Sequence, residues 1–303
     1  MKAIFIFTVF LLLYSCSYNR NSEDYCASGN SKAKLGDVKG AIADYDTAIQ
    51  LDPKNIEAYF NRGNAKNYTR NYKGALADFE KAVELNPDYS GAYDNRGFMK
   101  ANLGDYKGAV ADYDKAISLD SKNINAYFNR GSAKANLSDV NGAIADYNKA
   151  IELDPGSPKA YNLRGISKVI LEDYKGAMAD YNKALDIDSN YSDAYFNRGL
   201  AKGYLGNYRE AVPDFDKTIK LDSNDVKAYN NRGIAKAFLD DYIGAIADYN
   251  KAIEIDSNYA KGYFNRSSSK KGLGDINGAC LDLNKALELG DSAASELIKK
   301  YCK

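Results

Sequence analysis

The chain has 303 residues, 45% hydrophobic and 27% charged, which excludes an intrinsically disordered polymer and, by length alone, suggests about two domains. Lys plus Arg and Asp plus Glu both total 41, so the formal net charge is zero, and the basic surplus that a general nucleic-acid binder needs for counterion release is missing. There is no His, which removes imidazole acid/base catalysis, Ser-His-Asp triads and His metal sites together; 26 Tyr beside no Trp and five Pro point to one short element copied many times.

At the amino terminus Lys2 supplies a positive start, and Ala3 to Leu13 is apolar except for Thr8. This run is too short for a bilayer span, which needs about 20 residues, and reads as the core of a signal peptide over residues 1–15. It ends in Leu13-Tyr14-Ser15-Cys16, which resembles a bacterial lipobox, although Tyr14 is bulkier than the residue usual there. That resemblance implies cleavage before Cys16, a diacylglycerol on its thiol, and a lipidated tether over residues 16–21. The alternative is an ordinary secretory signal with an incidental Cys. Ser17, where an inner-membrane retention signal has Asp, favours an outer-membrane lipoprotein of the cell envelope over a periplasmic or secreted protein. Past Cys16 there remain Cys26, Cys280 and Cys302, so at most one internal pair forms.

From Ser22 onward one pattern recurs at a constant spacing, that from Ala58 to Ala92. Ala-Tyr-Phe-Asn-Arg-Gly begins at Ala58, Ala126 and Ala194, with variants at Ala92, Ala160, Ala228 and Gly262 and a degenerate copy near Asp24. The frame gives eight copies over residues 22–293: 22–55, 56–89, 90–123, 124–157, 158–191, 192–225, 226–259 and 260–293. Each copy reads as two helices. In the second copy Tyr59, Gly63 and Lys66 stand at i, i+4 and i+7, and after a polar turn Ala75, Phe79 and Ala82 repeat that spacing. Asp or Asn precedes the second helix of every copy, from Asp37 and Asn71 to Asp275, as a helix N-cap should. Asp or Asn followed by Pro or Ser, as in Asp52-Pro53 and Asp120-Ser121, closes the copies.

The order aromatic, Gly, Ala, aromatic, Ala, Pro, carried in the second copy by Tyr59, Gly63, Ala75, Phe79, Ala82 and Pro87, resembles the tetratricopeptide repeat and covers about nine tenths of the chain. The resemblance implies an all-α fold, a right-handed superhelical solenoid of about eight helix–turn–helix units. Gly inside a helix costs roughly 1 kcal/mol against Ala, so Gly63, Gly97 and Gly131 are expected where another helix comes close.

Two departures from the family pattern recur. Arg replaces Leu in seven copies, and Lys replaces an aromatic in all. The Arg series is matched by an Asp in each second helix, as in Arg62 with Asp78, Arg96 with Asp112 and Arg130 with Asp146, and an interhelical bridge of structural purpose is expected rather than a ladder of anion sites. A further comparison concerns the clamp by which one tetratricopeptide subfamily holds a C-terminal carboxylate. Asn61, Asn95 and Asn129 match its lone Asn, but Phe60 stands for one of its Lys residues and Asn231 and Asn265 for its Arg, so no such clamp is expected.

By the resemblance, a partner binds in a concave groove on first-helix positions that differ between copies. These are Phe60, Asn64 and Tyr68 in the second copy, Phe98 in the third and Phe128 in the fourth. The fifth to seventh copies add Ile166 and Ile170, then Phe196, Leu200 and Tyr204, then Ile234 and Phe238, and the eighth adds Phe264. The surface is apolar and aromatic with few charges, and suits an extended or helical protein segment rather than an acidic or nucleic-acid ligand. Past the last copy, residues 294–303 read as a capping helix with Asp291 as N-cap and Ala294, Leu297, Ile298 and Tyr301 as its apolar stripe. Cys280 and Cys302 flank the turn at Gly290 and would lie side by side on antiparallel helices, as a disulfide or as two separate thiols. Pro213 inside a second helix predicts a distortion there, and with Thr218 in place of the recurrent Ala makes the sixth copy the loosest.

Every polar motif is periodic, so no singular constellation of catalytic or metal-ligating residues is found, and no cofactor or small-molecule substrate is expected. The expected function is a non-catalytic protein-interaction scaffold that meets the membrane only through its lipid. A self-associating structural component of the envelope is the alternative, as is a soluble adaptor should the signal reading fail.

Overall fold

The structure is a computed structural model that describes residues 20–302. The expected signal peptide, Cys16 and Lys303 lie outside the described residues. Seventeen α-helices and no strand are found among the described residues. They run α1 (Ser22–Lys34) and α2 (Val38–Leu51), α3 (Ile56–Tyr68) and α4 (Tyr72–Leu85), α5 (Ser90–Asn102) and α6 (Tyr106–Leu119), α7 (Ile124–Asn136) and α8 (Val140–Leu153). There follow α9 (Pro158–Ile170) and α10 (Tyr174–Ile187), α11 (Ser192–Tyr204) and α12 (Tyr208–Leu221), α13 (Val226–Phe238) and α14 (Tyr242–Ile255), α15 (Ala260–Gly272) and α16 (Ile276–Glu288), and last α17 (Ala294–Tyr301). Contacts divide the chain into two compact units, one ending at Asp105 and one beginning at Tyr106. In the first, α1 packs on α2, α2 on α3, α3 on α4 and α4 on α5; in the second the same alternation runs from α6 to α17.

Capping sets where each second helix begins. Asp37, Asn71, Asp139, Asp173, Asp241 and Asp275 each accept the backbone N–H three residues on, which is a Gly every time. The Gly has a reason: a Cβ on Gly142 would fall 2.1 Å from Oδ2 of Asp139. The sixth copy has Glu210 at that place, and there Asn207 makes no side-chain cap; the Glu210 N–H turns to the Asn207 carbonyl at 3.1 Å instead. Pro213, where a distortion is expected, does not interrupt the helix. Helix α12 runs unbroken from Tyr208 to Leu221 with Pro213 inside it, and the anomaly of this copy lies at its first turn. At the close of the copies, the Asp or Asn accepts the N–H two residues on whether Pro or Ser follows, as in Asp52 with Lys54 and Asp120 with Lys122. The Asx turn therefore does not depend on proline.

The expected close approach at the first-helix glycines is real. A Cβ on Gly63, Gly131, Gly165, Gly199 or Gly233 would sit 2.6–2.8 Å from the ring of Phe79, Tyr147, Tyr181, Phe215 or Tyr249 respectively. These rings are at most 3% exposed and have nowhere to move. The eighth copy changes both partners together, with Ser267 in the glycine's place and Leu283 in the ring's.

The turn between the helices of each copy needs one left-handed residue so that the next N–H can reach back to close the helix end, as Asp37 N–H does to the Lys32 carbonyl at 3.0 Å. Gly36, Gly104, Gly206 and Gly274 supply it without strain, but Arg70, Ser138, Glu172 and Asp240 adopt it too, at φ 59–64°. Replacing these four by Gly is expected to stabilise the fold by roughly 0.5–1 kcal/mol each, the left-handed strain relieved less the added chain entropy of glycine. Urea denaturation of the quadruple variant checks this; a lower midpoint would refute it.

At the far end, α17 starts at Ala294, but its N-cap is Ala293 and not Asp291. Asp291 lies two residues earlier, where its carboxylate accepts the Ala293 N–H at 3.2 Å.

Candidate functional site

The recurrent Arg is a three-way pin. Arg62 grips Asp78 of its own copy through Nε and Nη2, and its Nη1 donates to Asp46 of the preceding copy at 2.6 Å. Lys66 joins the same carboxylate at 2.8 Å, and the guanidinium lies 5.5 Å from the Tyr59 ring centroid. Burial disfavours the Arg62 cation, but its bonds to Asp78 and Asp46 outweigh this, so its pKa stands above the ordinary value. The arrangement recurs at Arg130, Arg164, Arg198, Arg232 and Arg266, with Asp or Asn as the partner in the preceding copy. Arg96 and Asp112 fall one in each compact unit. The Asp members are nearly inaccessible, Asp78 and Asp146 being 3% exposed, so this series ties helices and copies together and presents no open anion site.

The groove positions divide into two classes. Phe128 is buried, with the Lys159 ammonium 5.5 Å from its ring centroid. Phe60 packs against Phe79 and Tyr89, Phe196 meets Phe215 edge-on at 5.9 Å, and Phe264 lies against the Leu283 cluster. Phe128 is enclosed in the core, whereas Phe60, Phe196 and Phe264 are half-buried in crevices between helices. In the intervening fifth and seventh copies the same position carries Asn162 and Asn230, both buried, which accept the side-chain amides of Asn197 at 3.0 Å and Asn265 at 2.8 Å. Asn64 likewise accepts from Asn95 at 2.9 Å.

The second class does face solvent. Tyr68 is 79% exposed and Phe98 39%, each alone in its copy. Consecutive copies five, six and seven pair a half-buried aliphatic with an exposed apolar residue one turn on: Ile166 with Ile170, Leu200 with Tyr204, Ile234 with Phe238. Fourth-copy Ser132 and Asn136 and eighth-copy Ser268 and Gly272 end the run on either side. Tyr204 stacks on Tyr174 at 5.3 Å, and Phe238 on Tyr208 at 4.2 Å, so the opening residues of α10 and α12 complete the surface. Sequence reasoning missed both tyrosines, because it looked for the groove on first helices alone. A cleft of about 190 Å³ lies between these side chains, lined by Leu200, Tyr204, Tyr208, Ile234 and Phe238, and a second of about 390 Å³ adjoins it beside Phe238, Tyr242 and Ser268.

Two cysteine environments complete the inventory. Cys280 and Cys302 are joined, with Sγ–Sγ 2.00 Å. Cys26 is free and buried, and burial, reinforced by the charge of Glu57, pushes its thiol from about 9 up to about 11. It is therefore protonated and unreactive at neutral pH. Because the folded state holds this proton more tightly than the unfolded state, its contribution to stability is complete below pH 9 and is lost as pH rises through 11. Burial of the Tyr45 hydroxyl, pushed up to about 12, acts in the same direction. The expected results are slow alkylation of Cys26 at pH 8 unless the protein is unfolded, and a denaturation midpoint that falls above pH 9.

One family model, "TPR repeat", matches residues 29–66, 99–138 and 167–203; another, "Tetratricopeptide repeat", matches 56–89, 124–157, 192–225 and 226–259. No curated protein matches the chain. Among solved structures the chain is similar to YrrB, described as a TPR protein with an unusual peptide-binding site, at 26% identity and TM-score 0.50, over 61% of this chain and 95% of that one. It is similar to MamA at 26% identity and TM-score 0.50, over 57% of this chain and 94% of that one. A tetratricopeptide repeat protein from Parabacteroides merdae shares the fold over 93% of this chain and 99% of its own, at 22% identity and TM-score 0.57.

Proposed function

Because this chain is built of tetratricopeptide repeats, a class that generally mediates protein–protein interaction, we infer that it is a non-catalytic scaffold whose copies five to seven bind a protein segment. The observation that carries the reading is the run of apolar pairs, each one half-buried and one exposed, Ile166 with Ile170, Leu200 with Tyr204 and Ile234 with Phe238, in three consecutive copies and bounded by Ser132 and Asn136 on one side and Ser268 and Gly272 on the other. Solvent-facing apolar surface of this extent and continuity marks contact with protein. The exposed ends of two aromatic stacks suit apolar anchor side chains, and several shallow pockets in a row suit an extended segment better than a compact small molecule. The peptide-binding site named for YrrB supports the same use of the fold.

The test is affinity capture with the chain as bait, beside a Tyr204→Asp/Phe238→Asp variant. Both residues are exposed, so the variant should fold, which circular dichroism checks. A protein captured by the first bait and lost with the second is the expected result. Capture indifferent to the substitutions would overturn the assignment. Phe128 is unsuited to this test, since a charge there would be buried in the core.

We propose also that the chain is exported and tethered to the envelope through lipid on Cys16, the outer membrane being favoured. The Leu13-Tyr14-Ser15-Cys16 sequence after an apolar run supports this. Cys16→Ser should release the protein from the membrane fraction; a variant that stays there, with no change in size, would remove the lipid from the account.

A further inference from the structure

We propose that the Cys280–Cys302 disulfide is a redox-sensitive latch on α17, and that a dithiol reductant opens the end of the repeat array by releasing this helix. Helix α17 begins at Ala294, one repeat length after α15 begins at Ala260, and it packs on α16 as α15 packs on α14, so it stands where the first helix of a ninth copy would start. It is a weak substitute. In most first helices the third residue is a fully buried Ala, such as Ala194 or Ala228; in α17 that place is the exposed Glu296, and only Ala294 is fully buried. Leu297 and Ile298 are only half-buried. The seam is open as well. A cleft of about 190 Å³ lies between α15, α16 and α17, lined by Lys271, Cys280, Leu283, Leu297 and Tyr301. The smaller pair Ser267 and Leu283, in place of glycine and ring, leaves this end of the core less filled.

Eight residues are too few for a stable helix in water, where about 12–15 are marginal even for good formers. Its attachment therefore depends on its two ends. The turn from Leu289 to Ala293 holds one, with the Asp291 N–H on the Ala286 carbonyl at 2.9 Å, and the bond from Cys302 to Cys280 holds the other. Cys280 and Cys302 are both half-buried rather than enclosed, and Lys271, which lines the same cleft as Cys280, supplies positive charge that favours an incoming thiolate. The exchange balances. One thiolate of the dithiol attacks a sulfur of the pair, the other resolves the mixed disulfide, and the products are two Cys thiols and the oxidised dithiol. Release of α17 uncovers Tyr263, Phe264, Leu283 and Ala286, the apolar face that inside the array receives the next copy.

The experiment is hydrogen exchange by mass spectrometry on the full chain, oxidised and after dithiothreitol, beside a Cys280→Ser/Cys302→Ser variant that needs no reductant. Amides of residues 294–301 should exchange about a hundredfold faster in the reduced protein and in the variant alike, while α15 and α16 keep their protection. Unchanged protection of 294–301 would show that packing alone holds α17 and would overturn the latch. Loss of protection in α15 and α16 as well would overturn it too, since the disulfide would then be a staple of the whole last copy.

Discussion

Asp180→Ala is expected to destabilise the protein by about 3–5 kcal/mol, far more than an ordinary surface ion pair would imply. Asp180 is 4% exposed and carries two cations: Arg164 through Nε and Nη2, and Lys168 at 2.7 Å. Its removal leaves both cations, only about one-fifth exposed, without this counter-charge. The damage should cross into the preceding copy, because the same guanidinium donates to Asn148 at 2.6 Å. A triple variant, Arg164→Met/Lys168→Met/Asp180→Leu, removes the charges together and should recover most of the loss, since the desolvation cost disappears with them. Urea denaturation, with hydrogen exchange to locate the weakened helices, checks both. An Asp180→Ala protein within about 1 kcal/mol of the parent would mean that water reaches this cluster freely.

The second large effect is a coupling. Gly165→Ser alone should cost about 1–3 kcal/mol, because a Cβ there falls 2.6 Å from the Tyr181 ring. Tyr181→Leu alone should cost about 2 kcal/mol or more through the volume it vacates. Made together they recreate Ser267 with Leu283, a pair this chain already accommodates at 2% and 3% exposure. The double variant should therefore be more stable than the sum of the single effects predicts, by about 1–3 kcal/mol. Strict additivity would mean that glycine and ring do not constrain each other.

Much of this architecture was legible in the residues. The constant repeat spacing, the N-cap Asp and Asn residues and the glycine notch are local rules applied copy after copy, and repetition averages out the ambiguity of any one copy. The groove was less legible, because variation between copies has two causes. Ile170, Tyr204 and Phe238 differ between copies on the solvent face, whereas Phe128 and Asn162 differ because neighbouring layers of the core are filled differently. A sequence does not separate these without knowing which way the side chain points. The left-handed residues Arg70 and Glu172 carried no signal, since only glycine advertises that conformation. Pro213 leaves the helix unbroken, while the copy's uncapped start coincides with Glu210 in place of a glycine, a change that no pattern in the sequence singles out.

The crevice position that runs Phe60, Asp94, Phe128, Asn162, Phe196, Asn230, Phe264 returns to Phe only at every second copy, so its period is twice that of the backbone. The backbone thus counts in single copies, but the core counts in pairs. Loss of 158–191 would set Phe128 one copy before Phe196, and loss of 192–225 would set Asn162 one copy before Asn230. Removing or inserting two copies at once leaves the alternation intact. A change in length by whole pairs of copies is thus the one that preserves this order.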